Sequence, residues 1–208
     1  MSTHVKICGV TRVADALKAV NLGAYALGLN FCAESARHVD IARAREIHAA
    51  LPQHARVAGV FVNPSASRVR GVLRELSLSF LQFHGDESAE FCADFGVPYV
   101  KALRVRPGMD LLQYAARYAD AHALLMDGFV AERYGGTGHA FDWRLIPRNM
   151  PLPIILSGGL NASNVKAAIE TVRPWAVDVA SGIESSPGIK DAEKMAAFMR
   201  EVSDVRPA

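Results

Sequence analysis

Two side chains that exchange protons near ordinary pH stand at the ends of apolar runs. Cys8 closes Lys6-Ile7-Cys8-Gly9, and Asp127 follows Ala123-Leu124-Leu125-Met126. A thiol so placed could be a reactive cysteine, and a carboxyl so placed could be a general acid, provided that its surroundings raise its pKa toward the working pH. Structural readings stand beside these. A free cysteine also packs as a small hydrophobe, and an aspartate at such an edge also accepts hydrogen bonds from the amides of the following turn. Cys92 falls within a helical pattern, and Cys32 lies in a loop where it could line a site.

Four further features surround this pair. Asp178 interrupts Val177-Asp178-Val179, either to bind substrate hydroxyls or to pair with Lys6 inside the fold. His84 follows Gln82-Phe83 at another strand end, as a neutral donor to a ligand or as a satisfied structural histidine. Arg37, in Phe31-Cys32-Ala33-Glu34-Ser35-Ala36-Arg37-His38, is either a solvated surface arginine or a planar fork for a carboxylate. Ser157-Gly158-Gly159-Leu160-Asn161 and Ser181-Gly182-Ile183-Glu184 offer bare backbone N–H groups at two successive strand ends, and Gly135-Gly136-Thr137-Gly138 lies in the loop before them. Such amides predict a phosphate site at Gly158, Gly159, Ser181 and Gly182.

The elements that must position these groups follow from periodicity. Near-continuous apolar runs predict strands at Val5–Cys8, Ala24–Leu29, Val57–Val62, Phe80–Phe83, Tyr99–Leu103, Ala123–Met126, Ile154–Leu156 and Ala176–Val179. Amphipathic stretches alternate with them, among them Arg12–Leu22 and Ala162–Val172, the latter with Asn161 as its expected cap. Eight such units predict an α/β fold of (β/α)8 TIM-barrel type, one domain spanning residues 1–208, with its chemistry at the C-terminal strand ends. An open doubly wound sheet is the alternative, but Cys8-Gly9-Val10-Thr11 is no nucleotide-binding turn. The irregular stretch from Gly128 to Ala140 reads as a mobile loop.

Composition narrows the function classes. Half of the 208 residues are hydrophobic and 21% are charged, as in a packed globular protein. With 23 basic and 21 acidic residues the net charge is +2, without long runs of one sign, so no nucleic-acid partner is expected. No apolar stretch approaches the roughly 18 residues of a membrane span, and the N-terminus lacks the features of a signal peptide, so a cytoplasmic protein is expected. Three scattered cysteines suit neither a disulfide framework nor a metal site, and the seven histidines form no metal pattern.

The chain resembles the phosphoribosylanthranilate isomerase family. The resemblance rests on Lys6-Ile7-Cys8-Gly9-Val10-Thr11, Gly59-Val60-Phe61-Val62-Asn63, Leu81-Gln82-Phe83-His84-Gly85, Gly135-Gly136-Thr137-Gly138 with Phe141-Asp142-Trp143, Leu156-Ser157-Gly158-Gly159-Leu160-Asn161, and the run Val177 to Glu184. Pro187-Gly188-Ile189-Lys190-Asp191 extends it into the last helix. Gly128, His38 and Phe83 stand where the family commonly has Ser or Thr, Tyr and Leu. The resemblance implies an Amadori rearrangement with Cys8 as general base and Asp127 as general acid, and Arg37 on the anthranilate carboxylate. His84 and Asp178 would contact substrate, no metal or other cofactor would be needed, and the protein would be a monomer or homodimer. Another phosphosugar barrel isomerase, acting on the histidine-pathway aminoimidazole, and a catalytically silent barrel are the rival readings.

Overall fold

A computed structural model describes residues 3–128 and 141–205. Eight parallel strands close on themselves in chain order: β1 (His4–Cys8), β2 (Ala26–Asn30), β3 (Val57–Phe61), β4 (Phe80–Phe83), β5 (Tyr99–Val105), β6 (Ala123–Gly128), β7 (Ile154–Leu156) and β8 (Ala176–Val179). Helices α1 (Val13–Asn21), α2 (Ile41–Ala50), α3 (Ala66–Glu75), α4 (Ala89–Ala93), α5 (Leu111–Arg117), α6 (Val165–Val172) and α7 (Ala192–Ser203) follow β1 to β5, β7 and β8. Between β6 and β7 the described residues hold one 3-10 turn, Trp143–Leu145. The loop expected from Gly128 to Ala140, with its Gly135-Gly136-Thr137-Gly138 run, lies outside the described residues from position 129 on.

Successive side chains of a strand point to opposite faces, so each strand feeds two cores. The outward set, including Ile7, Leu29, Phe83, Leu124, Met126 and Val177, packs with helix residues such as Ala16, Ile47, Val69, Ile169 and Phe198. Burying each large aliphatic or aromatic group contributes about 1.5–3 kcal/mol, which makes this layer the main source of cohesion. The inward set forms a separate, smaller cluster built of Ala26, Ala58, Ala102, Ala123 and Ala176 around Phe80, Val100, Leu125 and Ile155. Because so many of these inward residues are alanine, the barrel has room for the long stem of Lys6. Lys6 stands in register with Asp178 of β8 and bonds it at 2.7 Å.

Five helices are capped by a side chain at their N-terminus. The side chains of Asp40, Ser65, Ser88, Asp110 and Asp191 each accept a backbone N–H of the first turn. The expected start of α6 is corrected. Asn161 Oδ1 takes the N–H of Ser163 and Asn164 Oδ1 takes the N–H of Asn161, so residues 162–164 form a side-chain-supported turn and the helix begins at Val165. After β8 the chain makes a 3-10 turn, Ser181–Ile183, and then an antiparallel hairpin of β9 (Glu184–Ser186) and β10 (Ile189–Lys190), which the periodicity does not announce. No described helix is long and apolar enough to cross a membrane.

Candidate active site

The C-terminal ends of the strands enclose a cavity of about 850 Å³. Its walls include Cys8, Arg37, His84, Asp127, Gly158, Gly159, Asp178 and Ser181. Of the four residues expected to bind phosphate, Gly182 is not part of the wall. A Cβ at Gly182 would collide with the carbonyl oxygen of Leu160, so the missing side chain lets the loops after β7 and β8 touch.

Cys8 ends β1 with its side chain directed inward. Burial pushes its thiol above the ordinary range; the ammonium groups of Lys6 and Lys190 oppose that shift, and Asp178 adds to it. The sulfur and Lys6 Nζ face each other across Gly28, where a Cβ would lie 2.9 Å from one and 3.2 Å from the other. Lys6 is 2% exposed. Burial alone would lower its pKa, but Asp178 and Cys8 outweigh this and leave it raised. Ser157 Oγ donates to the second oxygen of Asp178 at 3.2 Å, so Cys8, Lys6, Asp178 and Ser157 form one polar chain across β1, β8 and β7.

Asp127 lies on the other side of the mouth and is 4% exposed. Its Oδ1 accepts the N–H of Gly128 at 2.9 Å, and its Oδ2 lies 3.1 Å from His84 Nε2. The carboxyl therefore caps the following turn and also faces the cavity. Gly158, at φ 88°, approaches this group closely: a Cβ there would sit 2.8 Å from Asp127 Oδ1 and 2.7 Å from the Gly128 nitrogen. Only a residue without Cβ adopts that left-handed backbone freely and leaves that space.

Arg37 is not a solvated surface arginine. Its Nε and Nη2 donate to the two oxygens of Glu184 at 2.8 and 2.7 Å, which raises the guanidinium's pKa further. One edge of the fork is thus held by the protein itself, which orients the other edge. Lys190 Nζ completes the group by donating to Glu184 at 2.8 Å, to the Cys8 carbonyl at 2.6 Å and to that of Ala180 at 3.2 Å. Burial would raise Glu184, but Arg37 and Lys190 outweigh it and hold its carboxyl below the usual range. The sequence reading gives no role to Glu184, Lys190, Ser157 or Gln82. The signal was present for the last two, since each is a polar residue with inward parity at a strand's end. Cys32 reaches the cavity and bonds Glu34 at 3.0 Å, whereas Cys92 is buried in α4 with its thiol pushed up to about 12 by burial.

The sequence model of the N-(5'-phosphoribosyl)anthranilate isomerase family matches residues 5–201. The chain belongs to that family. An N-(5'-phosphoribosyl)anthranilate isomerase of Nitrosospira multiformis is 57% identical over 202 residues, 97% of each chain. The crystal structure of phosphoribosyl anthranilate isomerase from Thermotoga maritima is 37% identical and superposes with a TM-score of 0.89 over 97% of this chain and 98% of that one. A second isomerase structure, in complex with reduced 1-(o-carboxyphenylamino)-1-deoxyribulose 5-phosphate, is 36% identical, with a TM-score of 0.86 over 97% and 98%. Membership in the phosphoribosylanthranilate isomerase family makes the chain an isomerase on a TIM barrel, and implies a role in tryptophan biosynthesis.

Proposed function

We propose that this chain, acting in the cytoplasm as one barrel domain, converts N-(5-phosphoribosyl)anthranilate to 1-(2-carboxyphenylamino)-1-deoxyribulose 5-phosphate. The observation that carries the proposal is that Cys8 and Asp127 open into one cavity from different strands, with bare amides at its rim. Asp127, protonated, gives its proton to the ribose ring oxygen. The C1–O bond breaks, and the lone pair of the anilinic nitrogen forms the C1–N double bond of an iminium. Cys8, as thiolate, then removes the proton on C2, and the C–H electrons flow toward the iminium nitrogen to give an enolamine. Return of a proton to C1 and loss of one from the C2 hydroxyl yield the ketone, so the reaction is an isomerisation without net redox change.

The iminium is the electron sink, and no metal or organic cofactor has a role in this scheme. Lys6 and Lys190 supply the positive charge that favours the thiolate against burial. The amides of Gly158, Gly159 and Ser181, with Gly182 beside them, receive the phosphate. The fork of Arg37 not taken by Glu184 receives the anthranilate carboxylate, and Asp178 and His84 face the sugar. Steady turnover of phosphoribosylanthranilate by the purified protein with a chelator present is the expected result. No turnover of it, or turnover of the aminoimidazole substrate alone, would reject the assignment.

A further inference from the structure

Gln82 is 1% exposed on β4 and lines the cavity, and among the described residues its Oε1 is a buried acceptor without a donor. Natural proteins rarely leave such an atom unmet, since its desolvation costs more than a typical hydrogen bond returns. The other end of the same amide is engaged: its Nε2 lies 3.2 Å from His84 Nδ1. An amide nitrogen only donates, so Nδ1 must accept and the neutral imidazole carries its hydrogen on Nε2. That hydrogen points to Asp127 Oδ2, 3.1 Å away, while the Gly128 N–H occupies Oδ1.

We propose that Gln82 is a positioning residue for the acid step, which selects the Nε2–H tautomer of His84 so that two fixed N–H groups face the carboxylate that Asp127 becomes on giving up its proton. The inference rests on Asp127 being the acid. Donors fixed in advance at a place where negative charge develops lower the barrier without reorganising. The opposite tautomer would turn a lone pair toward that oxygen. The unmet Oε1 supplies the other half of the device. A substrate hydroxyl donating to it holds the amide nitrogen toward the imidazole, whereas an amide turned end for end would select the wrong tautomer. Filling the cavity thereby sets the histidine that steadies the acid.

The test is nitrogen NMR of histidine-labelled protein together with kinetics. Wild-type His84 is expected as the Nε2–H tautomer, firmly so with the reduced product analogue bound. Gln82→Met keeps the length and removes both amide ends. Its kcat is expected to fall about ten- to a hundredfold with a smaller change in KM, without loss of thermal stability because the orphaned acceptor is gone, and His84 should populate both tautomers. Gln82→Glu offers His84 only an acceptor, and should give the Nδ1–H tautomer and a rate below that of the methionine variant. Wild-type His84 found as Nδ1–H or as imidazolium at the assay pH overturns the proposal, and so does a wild-type kcat in Gln82→Met. Should the methionine variant not fold, the wild-type tautomer and the glutamate variant decide. Full turnover by Asp127→Asn would sink the acid assignment instead, and is seen separately because the tautomer is read without catalysis.

Discussion

Three lysine–carboxylate pairs are buried among the described residues, and two of them, Lys101–Glu87 and Lys6–Asp178, do different things. Lys101 of β5 meets Glu87 at 3.1 Å and also donates to the carbonyls of Phe83, Gly85 and Ala102. Glu87 in turn accepts the N–H groups of Asn63 and Gly85. Every polar capacity is used, and the pair ties the loops after β3 and β4 together away from the main cavity. Lys6 of β1, just as deeply buried, bonds Asp178 at 2.7 Å and the side chain of Cys8, with no backbone carbonyl among its partners in the described residues. Ion pairs of one type thus separate by their partners: the pair satisfied largely by backbone groups holds the fold, and the pair that shares its lysine with a thiol on the cavity wall is left with something to do.

Breaking each side tests that contrast. On the cavity side, Cys8→Ala and Asp127→Asn should each lower kcat by about two to four orders of magnitude while leaving the melting temperature nearly unchanged, as read by initial rates and thermal denaturation. A wild-type rate in either would remove that residue from the chemistry. On the other side, Glu87→Gln strands the ammonium of Lys101 and should cost about 3–5 kcal/mol in denaturant unfolding, with kcat per folded molecule retained. Loss of kcat without loss of stability would erase the distinction between the two pairs.

Arg37→Ala removes a charge-assisted contact and should raise KM about tenfold or more with a smaller effect on kcat. Unchanged KM would argue against a carboxylate there. The smallest and most diagnostic effect concerns pH. Because burial raises the Cys8 thiol, the thiolate is the minor form near neutrality, so kcat/KM should climb as pH rises past the ordinary thiol range. A plateau already reached in mildly acidic buffer would mean that the base is another group.

Much of the barrel was legible because a parallel strand covered on both faces needs an apolar run, and eight such runs recur along the chain. Strand ends were harder. Periodicity stops β5 at Leu103 and β6 at Met126, yet the ladder continues through Arg104 opposite Asp127 and Val105 opposite Gly128. At the mouth of a barrel an inward residue can be charged while its backbone remains paired, so the hydrophobic signal ends before the strand does. The hairpin after β8 escaped for a related reason. Glu184-Ser185-Ser186 has no apolar face of its own, and its structure comes from partners distant in sequence, Arg37 and the carbonyl of Cys8 reached through Lys190. Cys8 and Asp127 could be found because each interrupts or ends an apolar run. The inward parity of Gln82 is legible, but its proposed role is not, since that lies in one orphaned oxygen and one histidine nitrogen that no spacing reveals.

The contact of Gly158 with Gly128 and Asp127 has a mechanical corollary. The stretch of backbone proposed to hold the phosphate rests directly on the carboxyl proposed to protonate the ring oxygen, with no side chain between them to serve as a spring. The two are a single jaw of set width. A sugar chain longer by one carbon would have to give up either its phosphate anchor or its alignment with the proton donor, so the barrel measures its ligand as a caliper does, by the separation of two surfaces that do not slide apart.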